Sequence, residues 1–283
     1  MIAGAGGLVG REFAAQFSKK YQVSALTHND LDIANPVTVR QLILAHRPSL
    51  IINCAVLGLD ACQLDQSRAW NVNVRGTENL ARAAADVDAE FLHISTNYVF
   101  DGKREDCSFY TRADVPRPIN IYGQTKLAGE IAARSACQRT FVVRTSWVFG
   151  AGKKNFFSTA PKFLKTSMRI QAITDVWANS TYVRDLVTRV DEILMRRHYD
   201  IYHVVNNGIC SYYDFAVEAA RILNIPDTLV EDLVERVSAL EIQNSAQRPR
   251  FTPMRCVASE EIGLAPMRDW RASLLDYMRG DRL

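Results

Sequence analysis

The sequence lacks the features that mark disulfide-stabilised, zinc-binding, nucleic-acid-binding and membrane-spanning chains. Its six cysteines are dispersed among 283 residues without a Cys-x-x-Cys pair, so neither a disulfide framework nor a metal site is indicated. No apolar run approaches the roughly 20 residues that cross a membrane. The formal net charge is only +3, whereas a nucleic-acid surface needs a basic stripe. We therefore expect a cytoplasmic protein with reduced thiols, and no metal, nucleic acid or membrane among its partners.

The first half of the chain alternates short apolar runs with amphipathic stretches. Helices are predicted at 8–18, from 35–36 onward, at 69–85 and at 122–133, and strands at 21–26, 50–55, 90–95 and 140–146. Continuous apolar strands separated by helices are typical of a parallel sheet covered on both faces. Right-handed crossovers then give an α/β fold with a Rossmann-like, doubly wound sheet.

The regular alternation of strand and helix patterns ends after residue 150. A strand is predicted at 202–205 and a helix at 211–223, where Ser211 and Asp214 resemble a capping box, while 241–256 is predicted to be irregular. We therefore predict a Rossmann domain at 1–150. Residues 151–283 should form mainly a smaller, mixed α/β substrate lobe, some segments of which could return to the first domain.

Three glycines, at positions 4, 7 and 10, mark the junction of the first strand and the first helix. In this spacing the first allows a tight turn, the second lets backbone approach a pyrophosphate, and the third lets helix and strand pack closely. The helix N-terminus then offers free N–H groups to the phosphates. A glycine turn without a ligand is the alternative, but the position in a βαβ pattern favours a dinucleotide. The residues predicted to bind it are Gly4, Gly7, Leu8, Val9, Gly10, Asp32, Cys54 and Ala55, together with Tyr122 and Lys126.

The segment Tyr122-Gly-Gln-Thr-Lys126 predicts proton exchange with a carbonyl or an alcohol. The i, i+4 spacing puts Tyr122 and Lys126 on one helix face, where an ammonium would lower the tyrosine pKa. A carbonyl that accepts hydride needs such a proton donor. A hydroxyl at the end of the preceding strand completes the set; we assign it to Thr96, with Ser95 as the alternative, because alternation turns one of them away. A tyrosine packed on a lysine stem would explain the spacing alone, but with the glycine loop the pattern favours catalytic Tyr122, Lys126 and Thr96.

The choice between NADPH and NADH depends on the end of the second strand. An acidic residue there would bind both ribose hydroxyls and favour NADH, but Asp30 comes late in Thr27-His-Asn-Asp30. Arg11 could reach a 2′-phosphate, although a solvated helix residue is an equally good interpretation. The sequence therefore favours NADPH by a small margin.

Longer stretches resemble the extended short-chain dehydrogenases/reductases, and within them the dTDP-4-dehydrorhamnose reductase branch. They are residues 4–10, 47–55, 95–102, 118–130, 144–150, 181–186 and 246–249. The resemblance implies NAD(P)H-dependent reduction of the C4 ketone of a nucleotide-linked 4-keto-6-deoxy sugar, with Tyr122 as the acid and Lys126 on the nicotinamide ribose. It implies substrate contacts for Thr96 and Asn97, and places Trp147 against the sugar. Arg248 is the expected partner of the diphosphate, since guanidinium suits phosphate geometry.

The chain departs from this branch at positions expected to line the site. Asn97 stands where the family commonly has Asp, and an amide cannot hold a negative charge. The loop after Asn53 and the segment 175–181 also differ from the usual pattern. We therefore predict that Asn97, Trp147 and the loop around Trp177 and Asn179 select the sugar.

Two other functions remain open from the sequence. A nucleotide-sugar epimerase/reductase would need a further acid–base residue, for which Cys62 is the candidate, although a buried thiol is the alternative. The second alternative function is that of a catalytically silent, NADP-binding regulatory subunit. The regulatory subunit of methionine adenosyltransferase resembles the same branch and includes an Ala-Gln-Arg-Pro-Arg run like residues 246–250. We also expect that two copies could pair as a homodimer.

Overall fold

The computed structural model describes residues 1–242 and 245–280, and its centre is a six-stranded parallel sheet. The strands in chain order are β1 (Ile2–Ala3), β2 (Ala25–Leu26), β3 (Leu50–Asn53), β4 (Glu90–Thr96), β5 (Thr140–Thr145), β6 (Val148–Phe149), β7 (Ile170–Ile173), β8 (Trp177–Ala178), β9 (Thr181–Tyr182), β10 (Ile201–His203), β11 (Cys210–Ser211) and β12 (Val234–Val237). The central sheet has the order β10-β5-β4-β3-β1-β2. Every neighbouring pair in it is parallel.

Helices follow most of these strands. In chain order they are α1 (Leu8–Phe17), α2 (Pro36–His46), α3 (Leu59–Leu64), α4 (Gln66–Trp70), α5 (Thr77–Asp86), α6 (Ile121–Ala136), α7 (Phe156–Lys165), α8 (Val183–Arg196), α9 (Tyr212–Ile222), α10 (Asp227–Leu233), α11 (Val257–Glu261) and α12 (Trp270–Gly280). A π-helical turn at Asn71–Gly76 joins α4 to α5, and a 3₁₀ turn at Asn97–Val99 follows β4. Within 1–242 and 245–280, no helix is both long and apolar enough to cross a membrane.

Both faces of the central sheet are covered, as the apolar strands predict. On one face α1 and α8 pack over the sheet, so that Phe13 and Val190 share a core with Leu92 and Phe141. On the other face α2, α5 and α6 bury a second core that contains Ile43, Leu80 and Ala133. The predicted doubly wound, Rossmann-like α/β class is therefore confirmed.

The strand order reverses beside β1, which places a crevice at the carboxyl edge of the sheet. From β1 the chain crosses to β2 on one side and then to β3 on the other. The loops that follow β1 and β3 therefore separate there, and ligands of open α/β sheets bind at such a point. Residues 4–10 and 54–58 line this crevice from the two strands.

The second half of the chain forms a smaller lobe and also returns to the central sheet. Three two-stranded pairs, β6-β9, β7-β12 and β8-β11, lie in the lobe. Its core is rich in aromatic side chains, including Phe149, Phe215 and Trp270. Strand β10 instead pairs with β5 and completes the central sheet. The predicted return of some segments to the first domain is thus seen in β10, while the division at residue 150 stays a prediction.

Predicted and observed elements differ where local geometry overrides the sequence pattern. The helix predicted at 69–85 is interrupted by the π-helical turn, where Gly76 packs directly on Ile33. The strand predicted at 21–26 is only Ala25–Leu26, because β1 offers it just two partners. The helix predicted at 211–223 is α9, and its capping box between Ser211 and Asp214 is present.

Candidate active site

The glycine loop between β1 and α1 has two glycines that the fold requires and one that it does not. Gly4 has φ +78°, and a Cβ there would lie 2.5 Å from the Ala55 backbone nitrogen. A Cβ on Gly10 would collide with the Gly4 carbonyl oxygen. Gly7 is exposed, and a Cβ there would meet only the Gly4 oxygen, at 3.5 Å. Because packing does not demand Gly7, its missing side chain is explained by something that approaches from outside.

The N-terminus of α1 has the properties that a pyrophosphate needs. Gly7 is the N-cap residue, and no side chain caps the helix. The first N–H groups of α1, around Leu8 and Val9, therefore remain available beside a surface that a Cβ on Gly7 would fill. Helix N-termini of this kind bind phosphate groups, so the residues present fit a dinucleotide.

The choice between NADPH and NADH involves Asp30 and Asp32, which lie beyond the end of β2, and Arg11, which lies in α1. The Asp30 carboxylate accepts hydrogen bonds from the Thr27 backbone and hydroxyl, at 2.8 and 2.7 Å. Asp32 is exposed and accepts from the Ala34 N–H at 3.0 Å. Arg11 donates to the Gly152 carbonyl at 3.0 Å. Thr27 and His28 rather than a carboxylate thus follow the strand directly, which leaves room for a 2′-phosphate.

The Tyr122 hydroxyl lies near Thr96, as the sequence predicts. Tyr122 is half-buried in the first turn of α6, and its ring meets that of Tyr98 edge to face, with centroids 6.0 Å apart. Burial raises the pKa of Tyr122 to about 12, against which the Thr96 hydroxyl acts. The pKa is therefore raised rather than lowered as predicted, because desolvation of the phenolate dominates.

Ser95 and Thr96 point to opposite sides of β4, and Thr96 is the one in the crevice. The Ser95 hydroxyl donates to the buried Glu130 carboxylate, which is itself paired with Arg144 at 2.7 Å. The Thr96 hydroxyl accepts from the Tyr98 N–H at 3.1 Å and donates to the Asn97 Oδ1 at 3.3 Å. The second contact is long, so the hydroxyl can turn toward another acceptor.

Lys126 is buried one turn after Tyr122 on α6. It is 2 % exposed, and its Nζ lies 2.6 Å from the Ile94 carbonyl oxygen and 3.0 Å from the Nε2 of His93. Burial lowers its pKa to about 8, while Glu130, Cys54 and Cys62 act in the opposite direction. Its amine therefore changes charge near neutral pH.

Buried Asn73, in the π-helical turn, braces this part of the site. Its Nδ2 donates to the Thr125 hydroxyl at 3.0 Å, and its Oδ1 accepts from the Leu57 N–H at 2.8 Å. It thereby ties the loop after β3 to α6. Cys62 is buried against the same Asn73, at 3.4 Å, and burial raises the pKa of its thiol. Cys62 has the buried environment of a structural thiol, so it is a poor acid–base group.

Aromatic side chains form the opposite wall of the crevice. Trp147 stacks on Phe157, with ring centroids 4.7 Å apart, and lies 4.5 Å from the ring of Tyr212. Its backbone has φ +40°, an unusual conformation for a bulky residue that is associated with functional sites. Its buried Nε1 makes no hydrogen bond of ordinary geometry within the described residues, although it lies close enough to the Tyr98 hydroxyl to lower the pKa of that group. Trp147 therefore has a donor that a substrate can take.

Tyr98 connects this wall to the candidate diphosphate end. Burial raises the pKa of Tyr98, while Arg248 and Trp147 lower it. These groups therefore lie around the Tyr98 hydroxyl. The Arg248 guanidinium, 17 % exposed, contacts the Asp60 carboxylate at 3.4 Å and the Ala246 carbonyl at 3.2 Å. The structure thus brings Arg248 to the crevice and gives it an acidic partner that the sequence did not predict.

Asn97 and Asn179 differ in the groups that their side-chain amides bind. Asn97 is 2 % exposed, and its Nδ2 donates to the Thr252 hydroxyl at 2.7 Å. Asn179 is 1 % exposed; it donates to the Gly208 carbonyl at 2.9 Å and accepts from the Met254 N–H at 2.7 Å. Because both polar atoms of Asn179 bind backbone, it holds loops together. Trp177 is partly exposed beside Phe251, and its backbone N–H donates to the Arg250 carbonyl at 2.7 Å.

Some residues of the crevice were not predicted from the sequence. Those that were predicted are the glycine loop, Tyr122, Lys126, Thr96, Asn97, Trp147 and Arg248. Tyr98 lies inside the motif 95–102, but its position in the site depends on the 3₁₀ turn after β4, which the sequence did not predict. Tyr212 and Asp60 come from distant segments, and nothing in the sequence links them to Trp147 or Arg248. Cys54 and Ala55 follow β3 as expected, and the Ala55 N–H donates to the Asn53 Oδ1 at 3.1 Å.

Comparisons with known proteins agree over nearly the whole chain. The family model described as "RmlD substrate binding domain" matches residues 1–282. A dTDP-4-dehydrorhamnose reductase of Mycolicibacterium smegmatis is 35% identical over 98% of this chain and 84% of that protein. The crystal structure of a dTDP-4-dehydrorhamnose reductase from Clostridium acetobutylicum matches with a TM-score of 0.92 and 33% identity, covering 100% of this chain and 99% of that one. A dTDP-4-dehydrorhamnose reductase from Bacillus anthracis, solved in complex with NADP, matches with a TM-score of 0.91 and 31% identity, covering 98% and 97%.

Proposed function

Because the chain belongs to the RmlD substrate-binding domain family, we propose that it reduces the C4 ketone of a dTDP-linked 4-keto-6-deoxy sugar with NADPH. The observation that carries the proposal is the meeting of Tyr122, Thr96 and buried Lys126 beside a glycine loop with an uncapped helix N-terminus. The named reductases among its relatives support an NAD(P)-dependent oxidoreductase acting on a nucleotide sugar.

The proposed roles follow from where each side chain lies. When bound, the reduced nicotinamide supplies the hydride. Tyr122 donates a proton to the ketone oxygen as negative charge develops there. Thr96 turns its hydroxyl from Asn97 to the same oxygen, and so stabilises that charge. Lys126 holds the nicotinamide ribose and exchanges protons on the side of Tyr122 away from the sugar.

The substrate would lie between the aromatic wall and Arg248. Trp147 offers its unpartnered Nε1–H to a sugar hydroxyl, and Tyr98 and Tyr212 give a flat surface on which the ring can pack. Arg248 would bind the diphosphate, for which it would exchange its long contact with Asp60. The choice of NADPH over NADH is supported by the missing carboxylate at the end of β2 and by the NADP complex of the relative from B. anthracis.

The cellular setting of the enzyme is also a proposal. All six cysteine thiols, which lie within the described residues, are free. Free thiols are typical of a reducing compartment, so we place the enzyme in the cytoplasm. A homodimer remains the predicted assembly.

The test is direct reduction of a panel of dTDP-, GDP- and CDP-linked 4-keto-6-deoxy sugars, followed through the loss of NADPH absorbance. We expect turnover with a dTDP-linked sugar and a fall in kcat of ~10²–10⁴-fold in Tyr122→Phe, with NADPH affinity retained. Tyr110→Phe is the matched control, because Tyr110 is also buried but its hydroxyl donates to Asp101 outside the crevice. Absence of turnover with every sugar, or a Tyr122→Phe variant as active as the control, would refute the proposal.

A further inference from the structure

His93 is a fully buried imidazole in the middle of β4 to which the proposed reaction gives no role. It is 0 % exposed, and both ring nitrogens have neighbours. Nε2 lies 3.0 Å from the Lys126 Nζ, and Nδ1 lies 3.2 Å from the Asn53 Nδ2. Which nitrogen carries the proton is therefore decided by what Asn53 and Lys126 can donate or accept.

The orientation of the Asn53 amide is fixed by two other groups. Its Oδ1 accepts from the Ala55 N–H at 3.1 Å. Its Nδ2 lies 3.1 Å from the Thr77 hydroxyl, which donates its own proton to the Asn73 carbonyl at 2.9 Å and so can only accept from Asn53. Rotating the amide by 180° would set N–H against N–H at Ala55. The second N–H of Nδ2 consequently points at His93.

This orientation determines the tautomer of the imidazole and the protonation form of Lys126 that can accept a hydrogen bond from it. Because Nδ1 of His93 accepts from Asn53, a neutral ring carries its single proton on Nε2. That Nε2–H points at the Lys126 Nζ, which can accept it only as an amine, since an ammonium has no lone pair. The amine then donates one N–H to the Ile94 carbonyl at 2.6 Å and keeps a second.

We propose that His93, held as its Nε2–H tautomer by Asn53, is a positioning residue that favours the amine form of Lys126 over the ammonium. This inference deepens the proposed function, on which its catalytic consequence rests. Lys126 then takes up its proton only at the cost of the His93 hydrogen bond. Lys126 therefore loses its proton at a lower pH than it would without His93.

The other groups around Lys126 do not offset this effect. Glu130, on the same helix, favours the charge, but it is buried in a pair with Arg144 at 2.7 Å. Cys54 and Cys62 face Lys126 from the loop after β3 and from α3, and burial raises the pKa of both thiols, so both are neutral. Burial and Lys126 together hold the pKa of His93 well below its usual range. Desolvation, which lowers the pKa of Lys126 to about 8, thus acts in the same direction as the hydrogen bonds.

The catalytic consequence is a pH dependence that His93 controls. When Tyr122 gives up its proton, an ammonium at Lys126 stabilises the phenolate, so kcat should fall as pH rises through the Lys126 pKa. In His93→Gln the amide oxygen can accept from the ammonium. The fall in kcat should then move to higher pH by about one unit, with little change in the KM of the sugar.

The test combines nitrogen NMR of the histidine rings with titration of Lys126. In ¹⁵N-histidine-labelled protein, the His93 signals, assigned through His93→Gln, should show the Nε2–H tautomer. In Asn53→Asp a carboxylate faces Nδ1, so the tautomer should switch to Nδ1–H and the Lys126 pKa, followed by ¹³Cε labelling, should rise. His203→Gln is the control, because His203 is equally buried but contacts Arg144 and Tyr110 instead; it should leave Lys126 unchanged.

The NMR measurement needs no substrate, so its outcome is separate from that of the proposed reaction. An Nδ1–H tautomer in the wild-type protein overturns the proposal, and this readout decides the case even if His93→Gln does not fold. A Lys126 pKa that is the same in wild type and in folded His93→Gln or Asn53→Asp also overturns it. If the tautomer is as proposed but no sugar is reduced, the positioning of Lys126 stands and the reductase proposal fails.

Discussion

Asn97 departs from the Asp of the pattern that the sequence resembles, at a position proposed to contact the substrate. Its Nδ2 donates to Thr252, and its Oδ1 receives the long hydrogen bond from Thr96. A carboxylate there would accept from both hydroxyls, which would hold Thr96 more tightly and reverse the direction of the bond to Thr252. The amide thus leaves Thr96 freer, and in the proposed site it would present no negative charge to the sugar.

We expect Asn97→Asp to change the ranking of 4-keto sugars more than it changes NADPH affinity. Sugars are discriminated by hydrogen bonds around the ring, where an unpaired buried polar group penalises the wrong substrate. The measurement is kcat/KM for each member of the sugar panel, with NADPH affinity determined by calorimetry. Equal scaling of all substrates would show that position 97 does not select the sugar.

At the residue scale, the sequence predicted which side chains matter better than what each one does. Alternation along β4 required that Ser95 or Thr96 face away, and the structure turns Ser95 toward Glu130. The loop around Trp177 and Asn179 is still predicted to select the sugar, but the polar atoms of Asn179 itself bind backbone groups. The role of His93 could not be predicted from the sequence, because it depends on Asn53, whose amide is oriented by Thr77, and both residues are distant from His93 in sequence.

The glycine loop and α1 form one element, which we propose binds the cofactor. Gly4 and Gly10 serve the close approach of the loop to the helix and to Ala55, whereas Gly7 faces outward. The motif therefore has glycines needed for packing, Gly4 and Gly10, and one needed for the approach of a ligand, Gly7. Single substitutions can separate these two requirements.

We expect Gly7→Val to abolish NADPH binding with little change in thermal stability. Gly7 has φ −79° and ψ 167°, which valine adopts readily, but its side chain would occupy the path of the pyrophosphate. Gly10→Ala should instead lower the Tm, because its Cβ would collide with the Gly4 carbonyl. Calorimetry and thermal unfolding of both variants give the answer; unchanged NADPH affinity in Gly7→Val would remove the glycine loop from the cofactor site.

The elements themselves were predictable where one apolar pattern dominates. Strands β3, β4 and β5 and helices α1 and α6 lie close to their predicted positions because each buries a continuous or periodic apolar face. The π-helical turn at Asn71–Gly76 was not predictable, since it depends on Gly76 meeting Ile33 and on Asn73 bonding Thr125. The comparisons confirm the predicted family, the reductase class and the nicotinamide cofactor.

On the scale of the whole molecule, the crevice depends on contacts between segments far apart in the chain. Asp60 and Arg248 are separated by 188 positions, and Ser245 also donates to Asp60, at 3.1 Å. These bonds connect α3 to the segment that precedes α11. The candidate diphosphate site is therefore shared between the central sheet and the lobe.

We expect Arg248→Ala to raise KM for every nucleotide sugar, with little change in kcat or in substrate ranking. The diphosphate is common to all of them, and its binding is the same in ground and transition states. Asp60→Asn is the matched variant, because it keeps the shape of the side chain and removes the competing charge; it should not raise KM. A drop in kcat alone in Arg248→Ala would contradict the assignment.

The buried Lys126 should also make the stability of the molecule depend on pH. Its folded pKa of about 8 lies below the ordinary 10.5, so between these values the unfolded chain binds more protons and the free energy of unfolding rises with pH. The penalty of burying Lys126 is full, about 3 kcal/mol, below pH 8. Relative to wild type, Lys126→Met should therefore lose about 1–2 kcal/mol of unfolding free energy between pH 8 and about 9.5. Urea unfolding at several pH values measures this, and parallel pH curves for the two proteins would contradict it.

Strand β10 has a consequence for how the protein can be divided. The chain leaves the central sheet after β5, contributes β6 to β9 to the lobe, and then comes back through α8 to pair β10 with β5. A cut at residue 150 would strip the sheet of its last strand and of the helix that covers one face. It would also leave β5 as a bare edge, open to pairing with another chain. The nucleotide-binding half cannot be excised as an independent module, so a fragment ending there should aggregate rather than bind cofactor.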